Sequence, residues 1–284
     1  MPADKQPELH VGYPTSYLPE IGNRPHIFDP ALRHYPHGFR QGDPKFADES
    51  TRLYWEWMQQ EAMTHLLGIT KACSWKDGPI LRGSVVLWHY LGGQARVPRD
   101  LDWLVQPTSL KPDSPLIQDF FREVVARLRD EPSFGSGAFE PDEIRYDDIW
   151  VYDKSPGLRL VFPWYAQNMP VGMVQMDFAF QEPLPTAPVY LDLPGASGVR
   201  AASLEQLLAW KLYWLKEDDY PQGKDLYDAT LIAEHLYAAG TPYSFDLPDT
   251  LVSDVYWDDF LSEYPDVQGD PASWAKRLRA ALTL

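Results

Sequence analysis

The chain has one cysteine, Cys73, in 284 residues. That excludes a disulfide framework and a cysteine zinc site, and it fits a reducing compartment. Basic residues are scarce: 25 Lys and Arg stand against 41 Asp and Glu, a formal charge of -16. Such a surface repels phosphate backbones at long range, which argues against general nucleic-acid binding but leaves room for a local basic groove. No apolar run nears the roughly 20 residues that cross a bilayer. The start, MPADKQPELH, lacks the basic and apolar segments of a signal peptide. Internal repeats and low-complexity tracts are also missing. These absences predict a soluble, cytoplasmic protein without membrane contact. Aromatic residues are plentiful, with 11 Trp, enough for a well-filled core.

Residues 1–50 are rich in Pro, Gly and His and read as an extended arm, with a short helix near Pro30–His34. His26, His34 and His37 lie close in sequence but show no clean metal-ligand spacing. From Thr51 to Thr70, Trp55, Met58, Ala62, Leu66 and Ile69 recur at helical intervals. ILRGS then reads as a strand running into a turn, Val85–Tyr90 as a short helix closed by Gly92-Gly93, and RDLDWLV as a strand. Ser114-Pro115 opens a helix with Leu116, Phe120, Val124 and Leu128 on one face. Strands are predicted over Ile144–Tyr152, Leu158–Trp164 and Val171–Phe180. Ser203 and Gln206 match a capping box, and a further helix runs from about Gly223 to Ala239. The pattern predicts an α+β core over 51–190 and a mainly helical lobe over 191–284, joined near the Pro-rich stretch 183–195.

Asp100 and Asp102 are two apart on a strand, so they share one face, with Leu101, Trp103 and Val105 on the other. Two carboxylates so close repel, and a divalent cation between them relieves the repulsion. In VGMVQMDFAF, Val174, Met176, Phe178 and Phe180 face one way and Asp177 the other. An acid on so apolar a strand is costly unless paired or metal-bound. Three aspartates on neighbouring strands can hold two metals; the plainer alternative is strand-end acids in solvent.

Gly83-Ser84 opens a helix, and helix N-terminal amides bind phosphate. Lys211 falls on a stripe with Leu204, Leu208 and Leu215, where a phosphate would partner its ammonium, unless the side chain snorkels to solvent. Lys224, Asp225 and Asp228 occupy the first turns of the next helix, where acids also suit the helix dipole.

A Gly-Ser pair, an Asp-x-Asp strand and a lone-Asp strand together resemble the nucleotidyltransferase superfamily typified by DNA polymerase β. The stretch LEQLLAWKLYWLKEDDYPQGKDLYDATLI resembles, more narrowly, the AbiEii/AbiGii-type nucleotidyltransferases, which include toxins of type IV toxin–antitoxin systems. The likeness covers roughly residues 80–240. Lys224 stands where that family carries arginine, so bidentate contacts are lost. The resemblance implies a mixed sheet flanked by helices with a C-terminal helical lobe. It implies triphosphate binding by Gly83, Ser84, Lys211 and Lys224, and Mg²⁺ (or Mn²⁺) held by Asp100, Asp102 and Asp177. It also implies that Asp177 helps activate an acceptor hydroxyl and that Asp225 orients Lys211 or an acceptor group. The reaction would move NMP from an NTP to that hydroxyl and release pyrophosphate, and an antitoxin would be a partner.

For the acceptor, tRNA, another RNA or a protein is one expectation, and Arg82, Arg96 and Arg99 around the motif are candidates to touch phosphates. From Asp225 to Ala275 there is no Lys or Arg, while Asp246, Asp249, Asp254, Asp258, Asp259 and Glu263 accumulate. That lobe is a poor RNA platform. It suits a cationic, aminoglycoside-like small molecule or a basic protein, or is a solvated acidic face. A third reading is a catalytically idle nucleotidyltransferase fold that serves as a binding module.

Overall fold

In the computed structural model, residues 26–28, 39–149, 155–247 and 250–282 are described. Two short strands, β1 (His26–Phe28) and β2 (Phe39–Gln41), pair antiparallel. The helix expected near Pro30–His34 lies outside the described residues, as does the end of the strand expected to reach Tyr152. The first long helix, α1 (Glu49–Ala72), starts where the Asp48 side chain accepts from the Thr51 amide at 2.9 Å. Trp55, Met58, Ala62, Leu66 and Ile69 are all buried along it, as their spacing requires.

Next come β3 (Pro79–Arg82), α2 (Ser84–Leu91), β4 (Asp100–Val105), α3 (Pro115–Asp130), β5 (Ser133–Phe134), β6 (Gly137–Phe139) and β7 (Arg145–Asp148). They are followed by β8 (Gly157–Ala166), β9 (Gly172–Ala179), β10 (Val189–Leu193) and β11 (Ala196–Ala201). The chain then turns helical: α4 (Leu204–Glu217), α5 (Gly223–Ala238), α6 (Leu251–Asp254), α7 (Trp257–Glu263) and α8 (Pro271–Ala281). Among the described residues, nine strands form one mixed sheet in the order β10-β11-β3-β4-β9-β8-β6-β5, with β7 also paired to β8. The expected α+β class is therefore observed. The Pro-rich stretch 183–195, expected to be a joint, contains β10, which forms a hairpin with β11. The hairpin extends the sheet instead, with β11 parallel to β3, so the boundary expected at residue 190 falls inside β10.

Strand alternation sorts the sheet's two faces. Leu101 and Trp103 of β4, Val174, Met176 and Phe178 of β9, and Leu160, Phe162 and Trp164 of β8 are buried. This face meets α1 and α3: Trp55 lies 5.7 Å from Trp164, and Phe120 and Phe121 meet Phe178 edge-on at 6.0 and 5.0 Å. Each such aromatic contributes roughly 1.5–3 kcal/mol by leaving water. In α3 the buried stripe is Ile117, Phe120, Phe121, Val124 and Leu128, while Leu116 is exposed. Leu116 was placed one position off: Pro115 at the first turn sets the phase, and Ile117 is the residue that turns inward. Ser114 does not cap α3 with its side chain; its hydroxyl accepts from the Lys111 amide at 2.9 Å. Ser203 does cap α4, accepting from the Gln206 amide at 3.2 Å. The Gln206 side chain, however, accepts from Thr186 at 3.1 Å. No helix among the described residues is long and apolar enough to cross a membrane.

Candidate active site

The sheet's opposite face carries a row of charged side chains. Directly opposed pairs in neighbouring strands share a face. Arg82 of β3 pairs with Asp102 of β4, Asp102 with Asp177 of β9, and Asp177 with Arg159 of β8. Asp147 of β7 stands opposite Arg159. Five strands thus set Arg82, Asp102, Asp177, Arg159 and Asp147 in one line across the sheet, with two acids side by side within it.

Those two acids differ in their partners. Arg159 forks onto Asp177, donating from Nε and Nη2 to the two carboxylate oxygens at 2.7 and 2.6 Å. Asp102 makes no hydrogen bond or ion pair through its side chain with any described residue. Its carboxyl is pushed up to about 7, first by burial, then by the charges of Asp100 and Asp177. Arg82 and Lys224 oppose that rise without cancelling it. Arg82 itself is committed to Glu182 at 2.8 Å and lies over the Trp210 and Trp214 rings.

The turn before α2 is built around Asp102. Gly83 has φ +76°, and a Cβ there would lie 2.1 Å from Asp102 Oδ2, so only glycine lets the backbone come this close to the carboxylate. The Ser84 hydroxyl donates to Asp100 Oδ1 at 3.3 Å. Gly83, Ser84, Asp100 and Asp102 are therefore together, as the sequence predicts, and Asp177 lies beside them on the next strand.

The C-terminal helices bring a second charged group. Lys211 is buried on α4, and its ammonium reaches Asp225 at 2.6 Å and Asp228 at 3.1 Å, both on α5. Arg96 holds the other side of Asp228 through Nε and Nη2 at 2.9 and 2.6 Å. Burial alone would raise Asp228, but Arg96 and Lys211 hold it down at about 2. Burial alone would lower Lys211, but Asp225 and Asp228 keep it above its ordinary value. Spacing put Lys211 in an apolar seam with a phosphate as its expected partner. Among the described residues its partners are two carboxylates one helical turn apart. Asp225 is the nearer of the two to Lys211. Lys224, exposed at the start of α5, makes no ion pair among the described residues, yet its charge reaches Asp102.

The arginines expected to reach outward are engaged within the chain. Arg96 belongs to Asp228 and Tyr264, Arg82 to Glu182, and Arg99 to Asp43 at 3.0 Å with Glu263 at 3.9 Å. Sequence reading missed the clamp of Arg159. Its one local signal was a charged residue between Leu158 and Leu160; its partner depends on strand register. Cys73 is buried, and burial pushes its thiol up to about 12, so it is a poor nucleophile.

Among the described residues, no trio of His, Cys, Asp and Glu forms a ready metal cage. Asp100 and Asp102 nevertheless suit a hard cation. They are neighbouring oxygen donors on one face, one of them without a partner and strained by like charge, beside a turn whose backbone approaches closely. Magnesium commonly takes one or two carboxylates and completes its shell with water and phosphate oxygens.

No curated protein matches the chain. A solved structure described as a nucleotidyltransferase from H. pylori superposes with a TM-score of 0.54 at 15% identity, covering 80% of this chain and 93% of that one; at that identity it speaks for the fold. The family model "Nucleotidyl transferase AbiEii toxin, Type IV TA system" matches residues 66–277. This span runs from α1 through the acid row and the Lys211 group to α8, so the chain belongs to the AbiEii family of nucleotidyltransferase toxins.

Proposed function

We propose that the protein transfers a nucleoside monophosphate from an NTP to an acceptor hydroxyl and releases pyrophosphate, in a Mg²⁺- or Mn²⁺-dependent reaction. The observation that carries this reading is Asp102: a carboxylate unpartnered in its side chain, raised to about 7, with Asp100 on its own strand and Asp177 directly across. Asp100 and Asp102 would hold the cation, which supplies charge neutralisation at the reacting phosphates. Gly83 and Ser84 present the first amides of α2 to the triphosphate. Lys224 is the exposed cation suited to its outer phosphates. Lys211, set by Asp225 and Asp228, adds a fixed positive charge to that side. The acceptor oxygen bonds to the α-phosphorus as the bond to the β-phosphate oxygen breaks. The hydroxyl proton passes to Asp177, whose carboxylate Arg159 orients. Asp177 would complete a second cation site only where Arg159 shared or yielded it. Rate enhancement on this plan comes from positioning and electrostatics.

The toxin family supports an antitoxin as partner. For the acceptor, RNA or a protein is the first reading. The internal pairing of Arg82, Arg96 and Arg99, with no Lys or Arg from 225 to 275, favours a cationic small molecule as the second. Incubation with labelled NTPs, Mg²⁺ and total RNA, then with polyamine-type acceptors, separates the two by where the label lands. Absence of label, together with no NTP binding by calorimetry, would leave a binding module and sink the enzymatic reading. The cytoplasm is the proposed compartment.

A further inference from the structure

We propose that Arg159 is a positioning residue that keeps Asp177 out of cation coordination, so that the nucleotide-free site takes one divalent ion, not two. The inference rests on the reading of Asp100 and Asp102 as cation ligands and deepens it. The two central acids of the row stand directly opposite each other on β4 and β9, yet only Asp177 is claimed by an arginine. Its two oxygens are held at 2.7 and 2.6 Å, and the side chains of Arg159 and Asp177 are only 12% and 6% exposed. A forked, charge-assisted pair with little water around it is strong. A cation approaching Asp177 meets the guanidinium charge and must displace or share at least one of those bonds. At Asp102 it meets repulsion waiting to be relieved.

The clamp is fixed by the fold. Unbroken antiparallel register from Gly157 to Trp164 locks β8 against β9, and the flanking Leu160 is anchored in the core. Buried Asp147 of β7 stands directly opposite Arg159 on the other side of β8 from Asp177. By register the guanidinium therefore stands between two acids, and its charge stays compensated if Asp177 turns toward a cation. The first ion goes to Asp100 and Asp102; Asp177 is released only when the nucleotide brings enough further charge to compete with Arg159.

The test is a Mn²⁺ titration of the nucleotide-free full chain, followed by electron paramagnetic resonance and calorimetry. The wild type is expected to bind one ion. Arg159→Gln is expected to bind two, the second at least about tenfold more tightly than any second ion on the wild type, as loss of one charge-assisted pair implies. Arg159→Gln combined with Asp177→Asn should return to one. If Arg159→Gln does not fold, Arg159→Lys keeps the charge without the fork and should still admit a weak second ion. A folded Arg159→Gln or Arg159→Lys with unchanged stoichiometry and affinity overturns the clamp, as does a wild type that binds two ions. A wild type that binds none overturns the acid pair itself, and the clamp with it.

Discussion

Replacing Asp102 with Asn should make the metal-free protein more stable while removing its response to metal. The carboxyl rises from 3.8 to about 7 on folding. Because the folded value is the higher one, the unfolded chain gives up its proton first. Stability therefore falls as pH rises from about 4 to about 7, and above that the full penalty is present. Three pH units at about 1.4 kcal/mol each give about 4 kcal/mol. Asp102 is partly exposed, so solvent screening brings this to about 2 kcal/mol. For a chain of this size, that is a rise in Tm of roughly 3–4 °C. Calorimetry in EDTA at pH 8 should show Asp102→Asn melting above the wild type, with the gap closing by pH 4. Excess Mn²⁺ at pH 8 should raise the wild type and leave the variant unmoved. A variant no more stable than the wild type at pH 8, or a gap that ignores pH, would refute the electrostatic account of the acid row.

Gly83→Ala puts a methyl where Asp102 Oδ2 sits, at a positive φ; expect a loss of about 1–3 kcal/mol in denaturant unfolding and weakened Mn²⁺ binding. Lys211→Met leaves Asp225 and Asp228 facing an apolar chain in a buried seam; urea melts should show a loss of about 3–5 kcal/mol. Lys224→Ala removes a charge that holds Asp102 down, so the pH midpoint of Mn²⁺ binding should move upward and NTP affinity should fall, both readable by calorimetry. Its exposure predicts a Tm within about 1 °C of wild type, since exposed charges contribute little to stability.

How much of this was legible depended on whether a signal was local. The period of two put Asp100 and Asp102 on one face and Asp177 opposite an apolar run, and the strands carry them so. The Lys211 stripe likewise told that its ammonium is buried. Its partners were not legible as partners, although Asp225 and Asp228 were visible at the start of the next helix, because the packing of α4 on α5 is tertiary. Register is equally nonlocal: nothing in GLRLVF says that Arg159 meets Asp177. The hairpin β10–β11 was hidden by its prolines, which punctuate a joint and a strand edge alike. The phase of α3 turned on one proline.

The parallel pairing of β4 with β9 has a consequence for a member of a toxin family. Its two central acids are 75 positions apart along the chain, from 102 to 177, and the lysine cage comes later still. A ribosome-bound or prematurely terminated product that stops before β9 holds only half of the acidic pair. On the proposed reading, nucleotidyl transfer is thereby withheld until β9 has been made and paired beside β4.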